Sequence, residues 1–136
     1  MIIALLQKDQ AFLDILLKNL PDSITSFVSE TTDPAHILSV VALWKEDCVV
    51  ISCHFEGTDL DAYNIASQVK AITPACKVYA YTATEPESNN GLDGVIHKPR
   101  GGNNLWHSFD ELCQVLEALL KGFTPDKLKH TFPFVT

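Results

Sequence analysis

The sequence predicts an α/β three-layer sandwich: a five-stranded parallel sheet with helices on both faces. Three observations carry that expectation. Short apolar runs alternate with longer stretches of helical periodicity. The runs are apolar on successive residues rather than on every second one, as in strands covered on both faces. The chain has 136 residues, 46% of them apolar, enough for one compact domain with a continuous core.

Ile2-Ile3-Ala4-Leu5-Leu6 reads as the first buried strand. Asp9 is placed to cap a helix whose apolar face is Phe12, Leu13, Leu16 and Leu20, stopped by Pro21. Ile24 to Ser29 reads as the second strand. Asp33-Pro34 is an N-cap followed by Pro at the first helical position. Ile37, Leu38, Val41 and Trp44 then fall on one helical face. Cys48 to Cys53 is the third strand. Thr58 or Asp59 opens the next helix, with Leu60, Tyr63, Ala66, Val69 and Ile72 expected inward and Pro74 ending it. Lys77 to Thr82 and Gly94 to His97 are the fourth and fifth strands. Ser108-x-x-Glu111 matches a capping box before Phe109, Leu112, Cys113, Leu116, Leu119 and Leu120. Lys121-Gly122-Phe123 has the pattern of a Schellman stop, and Pro125 follows it.

Five parallel strands in this alternation fit the flavodoxin-like order 2-1-3-4-5, which places sites at the carboxyl ends of the strands. Residues 1–122 are expected to form the domain. Residues 123–136 form a tail ending Phe132-Pro133-Phe134-Val135, which packs on the domain, pairs in a dimer or leads to a linker. No internal repeat or low-complexity stretch interrupts residues 1–122.

Composition excludes several function classes. The net charge of −7 leaves little basic surface for nucleic acid. No run approaches the ~20 apolar residues of a membrane span. The apolar start, Met1 to Leu6, lacks the flanks of a signal peptide. The four cysteines form no C-x-x-C pair and read as small core residues of a reduced, cytoplasmic protein.

The strand ends carry the candidate chemistry. Ser52 lies at the end of the third strand, Thr82 at the end of the fourth, and Lys98-Pro99 just after the fifth. That arrangement resembles the phosphorylation site of response-regulator receiver domains. The resemblance implies a CheY-like signalling domain over residues 1–122. It also implies an acidic Mg²⁺-binding pair after strand one, a phosphoacceptor Asp after strand three, a hydroxyl residue after strand four and a Lys-Pro, usually cis, after strand five. The first two are missing. Gln7 and Lys8 stand at the acidic pair, with Asp9 one place later, and Ser52 stands at the phosphoacceptor. Thr82, Lys98 and Pro99 match. The aromatic switch position, three residues before the Lys, is Val95. The stretch from Thr82 to Lys98 is also about five or six residues shorter than in receivers, more than one helical turn. The helix between strands four and five is therefore expected to be short or absent.

Gln7, Lys8 and Ser52 offer Mg²⁺ no carboxylate, and a serine hydroxyl without an adjacent base is a weak nucleophile. Aspartyl phosphorylation is therefore not expected, and Lys98 is expected to reach solvent or to pair with Glu56 or Asp9. The features resemble pseudo-receivers, the phosphorylation-independent members of the superfamily. The resemblance implies a non-enzymatic domain of a bacterial two-component signal-transduction pathway, without cofactor or metal. It would dock to a kinase, an output domain or a regulator, or to a second copy. Val95, Arg100, Trp106 and Phe109 are the docking candidates. Two other readings stand beside it. One is a small-ligand or anion sensor using Gln7, Lys8, Ser52, Thr82 and Lys98, or the Gly101-Gly102-Asn103-Asn104 loop. The other is a small α/β enzyme using Cys53 and His54, against which Cys48 and Cys76 offer no third converging ligand.

Overall fold

A computed structural model describes residues 2–6, 14, 18, 25–29, 35–45, 48–53, 62–82, 91–98 and 105–136, with side chains for 14, 18, 35–45, 48–51, 64–82, 91–98 and 110–136. Five strands are present: β1 (Ile2–Leu6), β2 (Thr25–Ser29), β3 (Cys48–Cys53), β4 (Lys77–Thr82) and β5 (Gly94–His97). The helices are α1 (Ala35–Trp44), α2 (Ala62–Ile72), α3 (Leu105–Leu120) and α4 (Pro125–Thr131). Asp14 and Lys18 are helical; the rest of the helix expected after Asp9 lies outside the described residues. So does the stretch 83–90, where a shortened helix was expected.

The strands pair in parallel in the order β2-β1-β3-β4-β5. Alternation along β3 and β4 divides the core in two, because successive side chains leave opposite faces of a strand. Val49, Ile51, Tyr79, Tyr81 and Ile96 meet α3 through Leu112, Val115, Leu116 and Leu119. Cys48, Val50 and Val78 meet α1 and α2 through Ile37, Val40, Val41, Ile65, Ala66 and Val69. Gly94 sits hard against the Tyr79 ring, where an added Cβ would approach ring carbons to 3.1 Å.

Helix periodicity places most of these residues and misplaces three. Trp44 and Ile72 were expected inward, yet they are 43% and 47% exposed. Each occupies the last turn of its helix. Ser108 was expected to cap α3, but the helix begins at Leu105 and Ser108 lies inside it. Asn104, directly before Leu105, is of a residue type favoured at N-caps.

The sheet's amino end is tied by one acidic side chain. The Asp93 carboxylate accepts from the Val78 backbone N–H at 2.8 Å and pairs with the Lys70 ammonium at 2.7 Å. The Asp93 N–H donates back to the Val78 carbonyl at 2.8 Å. Lys70 also donates to the Cys76 carbonyl at 2.6 Å. One partly buried carboxylate thus fixes the end of α2 and the entries to β4 and β5.

The tail packs on the domain. A Schellman turn ends α3: Phe123 N–H bonds Ala118 O, Gly122 N–H bonds Leu119 O, and Gly122 has φ +87. Thr124 then caps α4, its hydroxyl accepting from the Lys127 N–H, with Pro125 at the helix start. Beyond α4 the chain runs antiparallel along the outer edge of β5, with Val135 opposite Ile96. Val95 and His97 N–H donate to Thr136 O and Phe134 O at 2.8 Å, and Thr136 N–H donates to Val95 O at 2.9 Å. Leu128 and Val135 are buried in the α3-side core.

Two stability outcomes follow. Asp93→Ala leaves the Lys70 charge and the Val78 amide without their shared acceptor, and is expected to cost about 2–3 kcal/mol in urea unfolding. Asp93→Asn, which keeps one acceptor oxygen, should cost less. Val135→Ala removes two buried methyl groups and is expected to cost about 2 kcal/mol. An exposed control such as Lys129→Ala should be near neutral.

Candidate functional site

Parallel pairing sets the site positions level with one another. One row across the sheet runs Ser29, Leu6, Ser52, Ala80 and Val95. Ser52 therefore sits between Leu6, the last residue of β1, and Ala80 of β4. Thr82 lies two residues farther along β4, opposite His97 of β5. Lys98 comes next, and its N–H donates to the Thr82 carbonyl at 2.8 Å. The fold thus brings Ser52, Thr82 and Lys98 to neighbouring strand ends. Gln7, Lys8 and Pro99 lie outside the described residues, and with them the expected Lys98–Pro99 cis bond. The side chain of Ser52 is also outside them.

Thr82 is 4% exposed, a buried polar residue at the end of an otherwise apolar strand. The Lys98 ammonium stands 4.7 Å from the centroid of the Tyr81 ring. Over an aromatic face a cation is held by the ring quadrupole. Glu56 and Asp9, its expected partners, lie outside the described residues.

Val95 needs a correction. It was expected on a docking surface, but its side chain is 3% exposed, packed with Ala80 and against Leu92. Its backbone N–H and carbonyl are both taken by Thr136. Arg100 and the side chains of Trp106 and Phe109 lie outside the described residues.

The cysteines separate by end of the sheet. Cys48 and Cys76 are at the amino end, both fully buried, and the Cys76 thiol donates to the Cys48 carbonyl at 3.1 Å. Its hydrogen bond with Cys48, and then burial, push the Cys76 pKa far up. Burial, followed by the charges of Asp110 and Glu117, also raises Cys113. Among the described residues no group of three or more His, Cys, Asp and Glu is arranged to hold a metal ion. Tyr79 is buried with no hydrogen-bond partner for its hydroxyl, and burial, then the nearby Asp93 charge, raises its pKa. A cavity of about 180 Å³ lies away from the strand ends, between the last turns of α3 and α4, lined by Gln114, Glu117, Ala118, Lys121, Phe123, Thr131 and Phe132.

Sequence reasoning missed α4 and the edge strand beyond it, although Thr124-Pro125-Asp126 carries the cap, Pro and acidic first turn of a helix start. It also missed the Lys70–Asp93 pair, which spans 23 residues and has no local signal.

No protein-family model and no curated protein sequence matches the chain. Solved structures do. A LuxR-family two-component response regulator from Aurantimonas sp. SI85-9A1 superposes with a TM-score of 0.62 at 14% identity, over 94% of this chain and 92% of that one. A CheY-like receiver domain protein from Methanospirillum hungatei JF-1 gives 0.59 at 17% identity, over 90% and 98%. Chemotaxis protein CheY4 of Vibrio cholerae gives 0.57 at 12% identity, over 85% and 95%. The chain has the fold of these receiver domains. No helix of the described residues is long and apolar enough to cross a membrane.

Raised thiol pKa values mean less thiolate at any given pH, and the thiolate is the reactive form. Iodoacetamide at pH 8 should leave Cys48 and Cys76 unmodified in the native chain and modify Cys113 more slowly than a free thiol. Peptide mass spectrometry before and after unfolding reads this directly; prompt labelling of Cys48 or Cys76 would contradict the closed amino end.

Proposed function

We propose that this chain is a phosphorylation-independent signalling domain, a pseudo-receiver, that acts by docking to a protein partner in a cytoplasmic bacterial pathway. It performs no catalysis in this role. The strand-end residues carry the reading: the residue level with the end of β1 and with Ala80 of β4 is Ser52, and the lysine after β5 rests on Tyr81. A receiver site needs a carboxylate at the first position to take the phosphoryl group. It also needs a free ammonium at the second to neutralise that group. This chain has a serine in the one place and an aromatic cradle for the cation in the other. Gln7 and Lys8 remove the metal ligands as well.

Docking is the function that survives loss of this chemistry. The contact surface is assigned to Arg100, Trp106 and Phe109, around the first turns of α3. Apolar aromatic anchors beside a cationic side chain are the residue types enriched where binding energy concentrates. The partner is a kinase, an output domain or a regulator.

Acetyl phosphate or beryllofluoride with Mg²⁺ should leave the amide resonances of Ser52, Thr82 and Lys98 unmoved. Ser52→Asp alone should not change that outcome, because Gln7 and Lys8 still repel or fail to hold the metal. Restoring all three carboxylates (Gln7→Asp, Lys8→Asp, Ser52→Asp) should produce Mg²⁺-dependent shifts. Shifts in the unaltered chain would refute phosphorylation independence.

A further inference from the structure

The tail occupies the β5 edge as an added strand. Its docking uses three backbone hydrogen bonds, the single Ile96–Val135 bridge and two fully seated side chains, Leu128 and Val135. Phe132 and Phe134 lie 5.3 Å apart, centroid to centroid, and are only half buried against the core. The connection back to α3 is short and open. Lys121, Gly122 and Thr124 are exposed, and Gly122 has no neighbouring atom within 4 Å of where a Cβ would stand. The turn there depends on a left-handed glycine.

Charge separates tail from body. Residues 124–136 hold Lys127 and Lys129 against Asp126, two of the chain's ten basic residues and one of its seventeen acidic ones. The body is therefore strongly acidic, with Asp110 and Glu117 exposed on α3, and the tail is basic. Two acidic bodies repel each other, but a basic tail from a second copy is attracted to either one.

We infer that the segment from Phe123 to Thr136 is exchangeable: the β5 edge and the Val135 socket accept the same segment from a second copy, giving a strand-exchanged dimer hinged at Gly122. Every contact of the closed chain is remade in the dimer, so protein concentration and strain in the hinge set the balance. Opening also frees Val95 and His97 N–H to pair with the incoming Thr136 and Phe134. The exchange does not depend on the docking role, and it makes a second copy of the chain a partner of the β5 edge.

The test varies the hinge. Gly122→Ala strains the left-handed turn of the closed form without a steric clash, and an extended hinge relieves it. Light scattering on the full chain, from micromolar to millimolar, should show the dimer fraction constant rising about fivefold in this variant. Gly122→Asn, which tolerates that conformation better, should fall between it and the parent chain. In a dimer of isotope-labelled and unlabelled chains, the Val95 and His97 amides of one copy should show contacts to Phe134 and Thr136 of the other. A chain that stays monomeric with all three hinge residues marks the tail as a permanent edge cap and overturns the inference. Dimers lacking contacts between those amides and the other copy's tail overturn it equally.

Discussion

The register between β3 and β4, running from Val49 opposite Lys77 to Cys53 opposite Tyr81, decides what the other elements can do. Side chains alternate along paired strands, so this one alignment assigns each residue to a core. Val49, Ile51, Tyr79 and Tyr81 go to α3, and Val50 and Val78 to α1 and α2. A slip of one residue would exchange the two sets and put the Tyr rings against helices that present Ile37, Ala66 and Val69. The same alignment sets Ser52 beside Ala80 and Cys48 near Cys76. The core and the strand-end site are thus consequences of one pairing.

Much of this was legible because strands buried on both faces leave a strong signal. Val49-Val50-Ile51 and Lys77 to Thr82 admit little other than parallel strands at this length. The level of Ser52, Thr82 and Lys98 followed from counting along those runs. Legibility failed where the cause was not local. Trp44 and Ile72 obey the helical period, but both stand exposed in the last turns of their helices, and the sequence carries no mark of that. Ser108-x-x-Glu111 has the composition of a cap while lying inside α3, because the same residues are also compatible with a first turn. Lys98 was expected to reach solvent or to pair with Glu56 or Asp9, which lie outside the described residues; its place over Tyr81 depends on how near β4 and β5 bring the two side chains.

The tail shows how an edge can be managed without shortening it. An exposed edge strand presents unpaired N–H and carbonyl groups to any passing chain. Four-residue β5 would do so through Val95 and His97, and the segment from Phe134 to Thr136 takes those groups. The apolar tail sequence looked costly on its own. It is explained once Val135 fills the α3-side core and leaves the neighbouring phenylalanines leaning on the surface.

The two ends of the sheet are built on different terms. At the amino end, one carboxylate ties α2, β4 and β5 together, and two buried thiols close the start of β3 and β4. These contacts supply rigidity at positions remote from the strand ends where receivers do their chemistry. At the carboxyl end, the described polar groups make contacts that require no ion: Thr82 holds Lys98 through the backbone, and Lys98 rests on an aromatic ring. Removing a metal-binding pair from such a fold sacrifices little stability, because clustered carboxylates repel one another when no cation is bound. Under the proposed reading Gln7, Lys8 and Ser52 stand where such carboxylates would be, so that repulsion is absent while the sheet is held from the opposite end.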